Sequence, residues 1–256
     1  MSLVIFLSDL HIIEGTEDEE QRLLDIVDDA AHIESAPPIV HVAVGGDCIE
    51  GTDIHRQQNA MVHIPAREQV NNALRLFKKF ILKLRKAFPN AQIIITWVGG
   101  NHGRTSHTAH PSNNWDIELG QRLANWVYDR EMPDIVVRVQ TRAWHAKFQV
   151  HHTVFYMIHK IGGKPTHLET NARKGVIYER LMQHKADVVL LGHYHRGTHH
   201  CHQNGTLKLV VNGAFSECEP FYREENGYWS RPGQAIIMVP EEGVPMEEDV
   251  HWARWD

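Results

Sequence analysis

"LVIFLSDLH" (residues 3–11) runs five apolar residues straight into a serine, an acid, a leucine and an imidazole. The apolar run is continuous rather than alternating, which marks a strand covered on both faces. Its polar end puts Asp9 and His11 just past the carboxyl end of that strand. The same construction recurs four times. "IVHVAVGGD" (39–47) delivers Asp47, and "QIIITWVGGNHGR" (92–104) delivers Asn101, His102 and Arg104. "TVFYMIH" (153–159) delivers His159, and "DVVLLGHYH" (187–195) delivers His193 and His195. In open α/β sheets, ligands bind beyond the carboxyl ends of the strands.

Further strands are expected at "IVVRV" (135–139), "LKLVV" (207–211) and "AIIMV" (235–239). Helical periodicity appears in "EDEEQRLLDIVDDAAHIES" (17–35), with acids in its first turn, and again over residues 66 to 88. Residues 113 to 130 and 169 to 184 carry weaker helical patterns. Strand–helix alternation in the first half implies βαβ units, while "AKFQVHHTVFYMI" (146–158) reads as a hairpin. The mixture predicts an α/β sheet sandwich with outer helices. With no repeat, low-complexity tract or linker, residues 1–256 read as one domain.

Composition narrows the function classes. A formal net charge of -6 gives no global attraction to nucleic acid or anionic membrane. Residues 75 to 86 nevertheless hold Arg75, Lys78, Lys79, Lys83, Arg85 and Lys86, either a contact for a nucleic-acid backbone or the solvated face of a helix. Cys48, Cys201 and Cys218 are too few for a disulfide framework, which suits a reducing compartment. The N-terminus lacks the basic start and length of a signal peptide, and no run approaches a membrane span. A cytoplasmic protein without membrane contacts is expected.

The spacing of the polar residues points to a metal centre. Asp9 and His11 stand at i and i+2, as do His193 and His195, and in extended backbone such pairs project from the same side. Oxygen and imidazole donors together suit Mn, Zn or Fe, whereas Mg or Ca alone would want mostly oxygen. Seven candidate donors (Asp9, His11, Asp47, Asn101, His159, His193, His195) exceed what one four-coordinate ion can use. Two ions sharing a carboxylate would use them, and such a pair is a clamp for phosphoryl chemistry. "LLGHYHRGTHHCH" (190–202) holds five of the chain's 20 histidines. His193 and His195 read as ligands, and His199, His200 and His202 as rim or hairpin residues. His107, His110, His151 and His152 are placed with the latter.

The ordered series "DLH" (9–11), "GD" (46–47), "GNH" (100–102), His159 and "GHYH" (192–195) resembles the calcineurin-like metallophosphoesterases, a superfamily that includes Mre11-type nucleases and phage-encoded phosphoesterases. The resemblance implies a four-layer α/β/β/α sandwich of two mixed sheets flanked by helices. It also implies two divalent ions, manganese foremost with zinc or iron as alternatives. Asp9, His11 and His195 would hold one ion, and Asn101, His159 and His193 the other. Asp47 would bridge them, and His102 would contact the phosphate or protonate the leaving group. The chain departs from many relatives in two places: "IIE" intervenes between His11 and Gly15, and Gly103 and Arg104 follow "GNH" where an acid is common. Arg104 could offer its guanidinium fork to a phosphate.

The expected function is therefore a two-metal phosphoesterase in which a metal-bridging hydroxide attacks a phosphate ester. A phosphodiesterase is favoured, with nucleic acid among the candidate substrates. A phosphomonoesterase acting on protein or nucleotide is the alternative. A non-catalytic scaffold on the same fold is the reading from a different class, and it would require lost donors. The oligomeric state has no signature in the sequence.

Overall fold

The computed structural model describes residues 1–52, 62–106, 108–161, 183–201, 204–215 and 232–255. Two sheets stack. The first has the order β11-β10-β1-β2-β3-β4, built from β1 (Ser2–Leu7), β2 (Ile39–Val44), β3 (Gln92–Trp97), β4 (Ile135–Val139), β10 (Gln234–Val239) and β11 (Val250–Ala253). Strands β1 to β4 are parallel, and β10 and β11 are each antiparallel to their inner neighbour. The second has the order β5-β6-β7-β9-β8, from β5 (His145–Val150), β6 (Thr153–Ile158), β7 (Val188–Leu191), β8 (Thr198–Cys201) and β9 (Leu207–Val211). Here β6, β7 and β9 are parallel, with antiparallel edges. Both sheets are mixed, as expected.

The continuous apolar runs explain the layering. Along β1, Leu3, Ile5 and Leu7 face the helices, while Val4 and Phe6 face the second sheet. Period two with both faces apolar is what a strand between two layers requires. The helical layer contains α1 (Glu17–Ile33), α2 (Ala66–Ala87) and α3 (Trp115–Asp129). Helix α1 starts at a capping box, in which Thr16 accepts from the Glu19 N–H and Glu19 accepts from the Thr16 N–H. Its buried Leu23, Ile26, Val27 and Ala30 pack with Phe77, Phe80 and Leu84 of α2 in the same core. The core between the sheets is built around Phe6, Phe148, Phe155, Leu190 and Ile237.

The expected helix over 169 to 184, which would supply the fourth layer, lies almost wholly outside the described residues. On the outer face of the second sheet, Tyr156, Ile158, Val189, Leu191, Leu209 and Val211 form a third buried cluster. Strands β8 and β11 were not expected. His199 and His200 belong to β8, the edge strand beside β9. His151 and His152 form the β5–β6 turn, and His110 is exposed against Ser112. His107, His202 and Cys218 lie outside the described residues.

The basic face of α2 carries ion pairs to neighbouring elements. Arg75 and Lys79 pair with Glu20, Lys83 with Asp28, and Arg85 with Asp134. Acids of α1 and of the loop before β4 thus neutralise four of the six cations named for this stretch. Among the described residues, no helix is long and apolar enough to cross a membrane.

Candidate metal centre

Past their last paired residues, β1 and β2 keep travelling side by side. The Asp9 N–H donates to the Gly46 carbonyl, the His11 N–H to that of Asp47, and the Ile12 N–H to that of Cys48. This zipper sets the two loops in register and holds Asp9 and Asp47 in the interior, each 1% exposed. The Asp9 carboxylate is fixed from both sides, by the Ser8 hydroxyl at 2.6 Å and the His193 N–H at 2.8 Å. The Asp47 Oδ1 accepts from the His102 N–H at 2.8 Å.

The imidazoles then close around these acids. Asp9, His11 and His195 each offer a ligand atom, and those atoms lie within 4.8 Å of one another. Asp47, His159 and His193 form a second such set, and Asn101 Oδ1 is 3.0 Å from His159 Nε2. All seven sequence-predicted donors are therefore brought together. His193 and His195 go to different sets, in the division that the resemblance implies.

The backbone route differs from the extended one expected. Asp9, His11, Asp47, His193 and His195 all have positive φ, at 57°, 48°, 52°, 69° and 51°. They are five of the eight non-glycine residues with positive φ among those described. A left-handed conformation is unfavourable for residues with a Cβ and persists where surrounding structure enforces it. The donors converge because the chain kinks at each of them. Close approach does the rest: a Cβ on Gly100 would collide with Asp47, and Gly46, at φ +90°, lies against the Gly99–Gly100 backbone.

The donor set fits a cation. The Nδ1–H of His159 donates to the Gly45 carbonyl at 2.8 Å, which leaves Nε2 pointing between Asp47 Oδ2 at 2.9 Å and Asn101 Oδ1 at 3.0 Å. His11 Nε2 and His195 Nε2 lie 3.3 Å apart, a spacing that one proton or one shared ion must mediate. Orienting one ring nitrogen by a second partner while the other faces the metal is the usual arrangement of ligating histidines.

Electrostatics agree with a site built for positive charge. Burial would raise the pKa of Asp9, but His195 and His159 outweigh it and bring it down to about 2. Burial likewise opposes ionisation of Asp47, which His159 and His102 nonetheless hold well below the usual carboxylate range. Burial works against a charge on His102, yet Asp47 and Glu50 push its pKa up to about 9. His193 goes the other way, to about 3, through burial and the neighbouring His159.

Two acids missing from the sequence reading complete the centre. Glu50 is 7% exposed. Its Oε2 meets His11 Nδ1 at 2.7 Å, its Oε1 meets His102 Nδ1 at 3.3 Å, and its backbone carbonyl accepts from His102 Nδ1 at 2.9 Å. His102 therefore needs no acid at the next position to orient it. Asp116, fully buried in the first turn of α3, accepts from the N–H groups of Asp47, Cys48 and Gly100. Burial and the charge on Asp47 raise its pKa to about 6. Arg104 is half-buried beside the centre, and its Nε donates to the Asn101 carbonyl at 3.1 Å.

The motif series that resembles the calcineurin-like metallophosphoesterases is thus one centre in space, at the edge of a two-sheet α/β sandwich. No protein-family model and no curated protein matches the sequence. Solved structures similar to this chain include Vacuolar Protein Sorting 29 from Cryptosporidium parvum, at 12% identity and TM-score 0.46, covering 98% of this chain and 95% of that one. YfcE, a phosphoesterase from E. coli, is similar at 14% identity and TM-score 0.44, covering 92% and 88%. A zinc complex of the Entamoeba histolytica Vps29 is similar at 10% identity and TM-score 0.41, covering 94% and 87%.

Proposed function

We propose that this chain is a two-metal phosphoesterase, with phosphodiesters its preferred substrates and phosphomonoesters the alternative. The observation that supports it most directly is the pairing of two adjoining donor sets, Asp9, His11 and His195 beside Asp47, His159 and His193, with Asn101 at the second. The first three would hold one divalent ion and Asn101, His159 and His193 the other, with Asp47 between them. Manganese suits this oxygen–imidazole mixture, and zinc or iron are the alternatives. Bound ions would supply polarisation of the phosphoryl oxygens and activation of water.

The chain's own residues divide the remaining work. His102, oriented through Nδ1 by Glu50, would present Nε2 to the leaving-group oxygen. Arg104, braced through Nε on Asn101, would direct its terminal nitrogens at a phosphate oxygen. Nucleic acid remains a candidate diester, but the α2 cations give it no support because most are paired internally. A scaffold on the same fold would be expected to have lost donors, whereas here each position is filled.

The test combines metal analysis of the purified protein with hydrolysis of bis-p-nitrophenyl phosphate and p-nitrophenyl phosphate in added Mn²⁺. Two ions per chain and faster hydrolysis of the diester are expected. Faster hydrolysis of the monoester would make the protein a phosphatase. Two bound ions without hydrolysis of either ester would leave a metal-binding scaffold.

A further inference from the structure

We infer that Asp116 is a positioning residue that sets the distance between the two loops carrying Asp47 and Asn101, and so controls occupancy of the ion site that depends on both loops. The inference rests on the two-metal reading above. Helix α3 begins at Asn114, whose side chain accepts from the Asp116 N–H at 2.8 Å and donates to the Gly100 carbonyl at 2.8 Å. Two residues on, the Asp116 carboxylate reaches past the helix end. Its Oδ2 accepts from the Asp47 N–H at 2.9 Å and the Gly100 N–H at 2.8 Å, and its Oδ1 from the Cys48 N–H at 3.0 Å. One oxygen therefore bonds both donor loops at once.

The surroundings are shaped to this arrangement. Gly103 follows Asn101 and His102, and a Cβ there would lie 2.4 Å from Asn114 Oδ1 and 2.8 Å from the Asp116 carboxylate. The helix supplies a carboxylate in the space that a side chain at position 103 would need. The helix N-terminus and three N–H donors favour the anion despite its burial. An amide could not serve all three: its NH₂ group would face a backbone donor, leaving a buried N–H unpaired and pushing the loops apart. The site that draws on both loops, with Asn101 from one and Asp47 from the other, would suffer most. The Asp9, His11 and His195 set would suffer less.

Mn²⁺ titration of the metal-free full-length protein, followed by the loss of the free-ion EPR signal, reads both sites without relying on activity. Wild type should take two ions. Asp116→Asn should keep one and bind the second at least tenfold more weakly, about 1.4 kcal/mol. Asn114→Ala removes the helix cap and a neighbouring bond but leaves the carboxylate, so it should cost thermal stability while retaining two ions. Equal weakening in both variants would make Asp116 merely structural and overturn the inference. Two ions at wild-type affinity in Asp116→Asn would overturn it alone, whereas a wild type that takes up none would overturn the metal-centre reading and the inference with it. If Asp116→Asn does not fold, Asp116→Glu keeps the charge but lengthens the side chain, so it displaces the carboxylate while leaving the Asn114 cap residue in place. A weakened second ion supports the inference, and unchanged affinity overturns it.

Discussion

The Glu50 carboxylate stands 2.7 Å from Nδ1 of His11, with both side chains largely shielded from water. With Nδ1–H donated to Glu50, the lone pair of His11 is confined to Nε2, the nitrogen that faces His195 3.3 Å away. Partners of this kind commonly contribute 10–100-fold to metal affinity or activity. Glu50→Gln keeps the shape but removes the charge that favours this tautomer. Metal affinity should fall by roughly that factor, as measured by competition with a chelator. Unchanged affinity and unchanged turnover would reduce Glu50 to a packing role.

Asp47 lies between the donor sets, with Oδ1 held by the His102 N–H and Oδ2 at 2.9 Å from His159 Nε2. Asp47→Asn halves the oxygen donors and removes the charge. Metal content should fall below two ions per chain, and hydrolysis should be abolished. A variant retaining both ions and full activity would show that Asp47 does not bridge.

Much of this centre was legible in the sequence because each donor sits directly behind an apolar strand, where a simple rule applies. The eight expected strands all form, within a residue or two of their expected bounds. Strand β8 was missed because "THHC" has no apolar run. It is half-buried throughout and owes its strand geometry to pairing with β9. Glu50 and Asp116 were missed for a different reason. Glu50 follows Cys48 and Ile49 with no recurring spacing to mark it, and Asp116 reads as an ordinary acid in a helix's first turn. Their partners lie far along the chain, 39 residues away for Glu50 and His11 and 69 for Asp116 and Asp47. Only the folded geometry joins them.

Away from the centre, His41 gives the protein an acid sensitivity. It lies 1% exposed between the sheets, stacked on Phe148 at 3.9 Å, with Nε2 at 3.0 Å from the Thr96 hydroxyl. Burial, reinforced by the charge of Arg138, lowers its pKa from 6.5 to about 3. Below pH 6.5 the unfolded chain therefore binds a proton that the folded chain refuses, and stability is lost as pH falls toward the folded value. The loss between pH 7 and 5 is about 2 kcal/mol. His41→Leu should flatten this part of the stability curve in urea titrations. Parallel curves for the two proteins would show that His41 titrates normally.

Arg104 is anchored at one edge only by the described contacts, through Nε on Asn101. Arg104→Ala should leave metal content intact and reduce kcat/KM by about 1.5–3 kcal/mol, the range for a charge-assisted hydrogen bond. Arg104→Lys should recover part of the charge but not the fork geometry. If neither variant alters the kinetics, the guanidinium braces the loop and does not grip substrate.

His102 offers the sharpest separation of chemistry from structure. Its N–H is bound by Asp47 and its Nδ1 by the carbonyl and carboxylate of Glu50, which fixes both backbone and ring. The ring stands edge-on to His11 at 4.5 Å between centroids. His102 forms a third set of ligand atoms within 4.8 Å of one another, with His11 and Glu50, and belongs to neither of the two sets proposed to hold ions. A proton from Nε2 helps only when the leaving group is a poor one, such as a sugar hydroxyl, because a nitrophenolate departs without it. General acid catalysis is typically worth about 10²–10⁴-fold. His102→Ala should keep both ions, lose activity of that order on alkyl phosphate esters, and lose much less on nitrophenyl esters. Equal losses on both ester types would assign His102 to stabilising charge on the phosphate. Loss of an ion as well would place it among the ligands, with Glu50 and His11 as its partners.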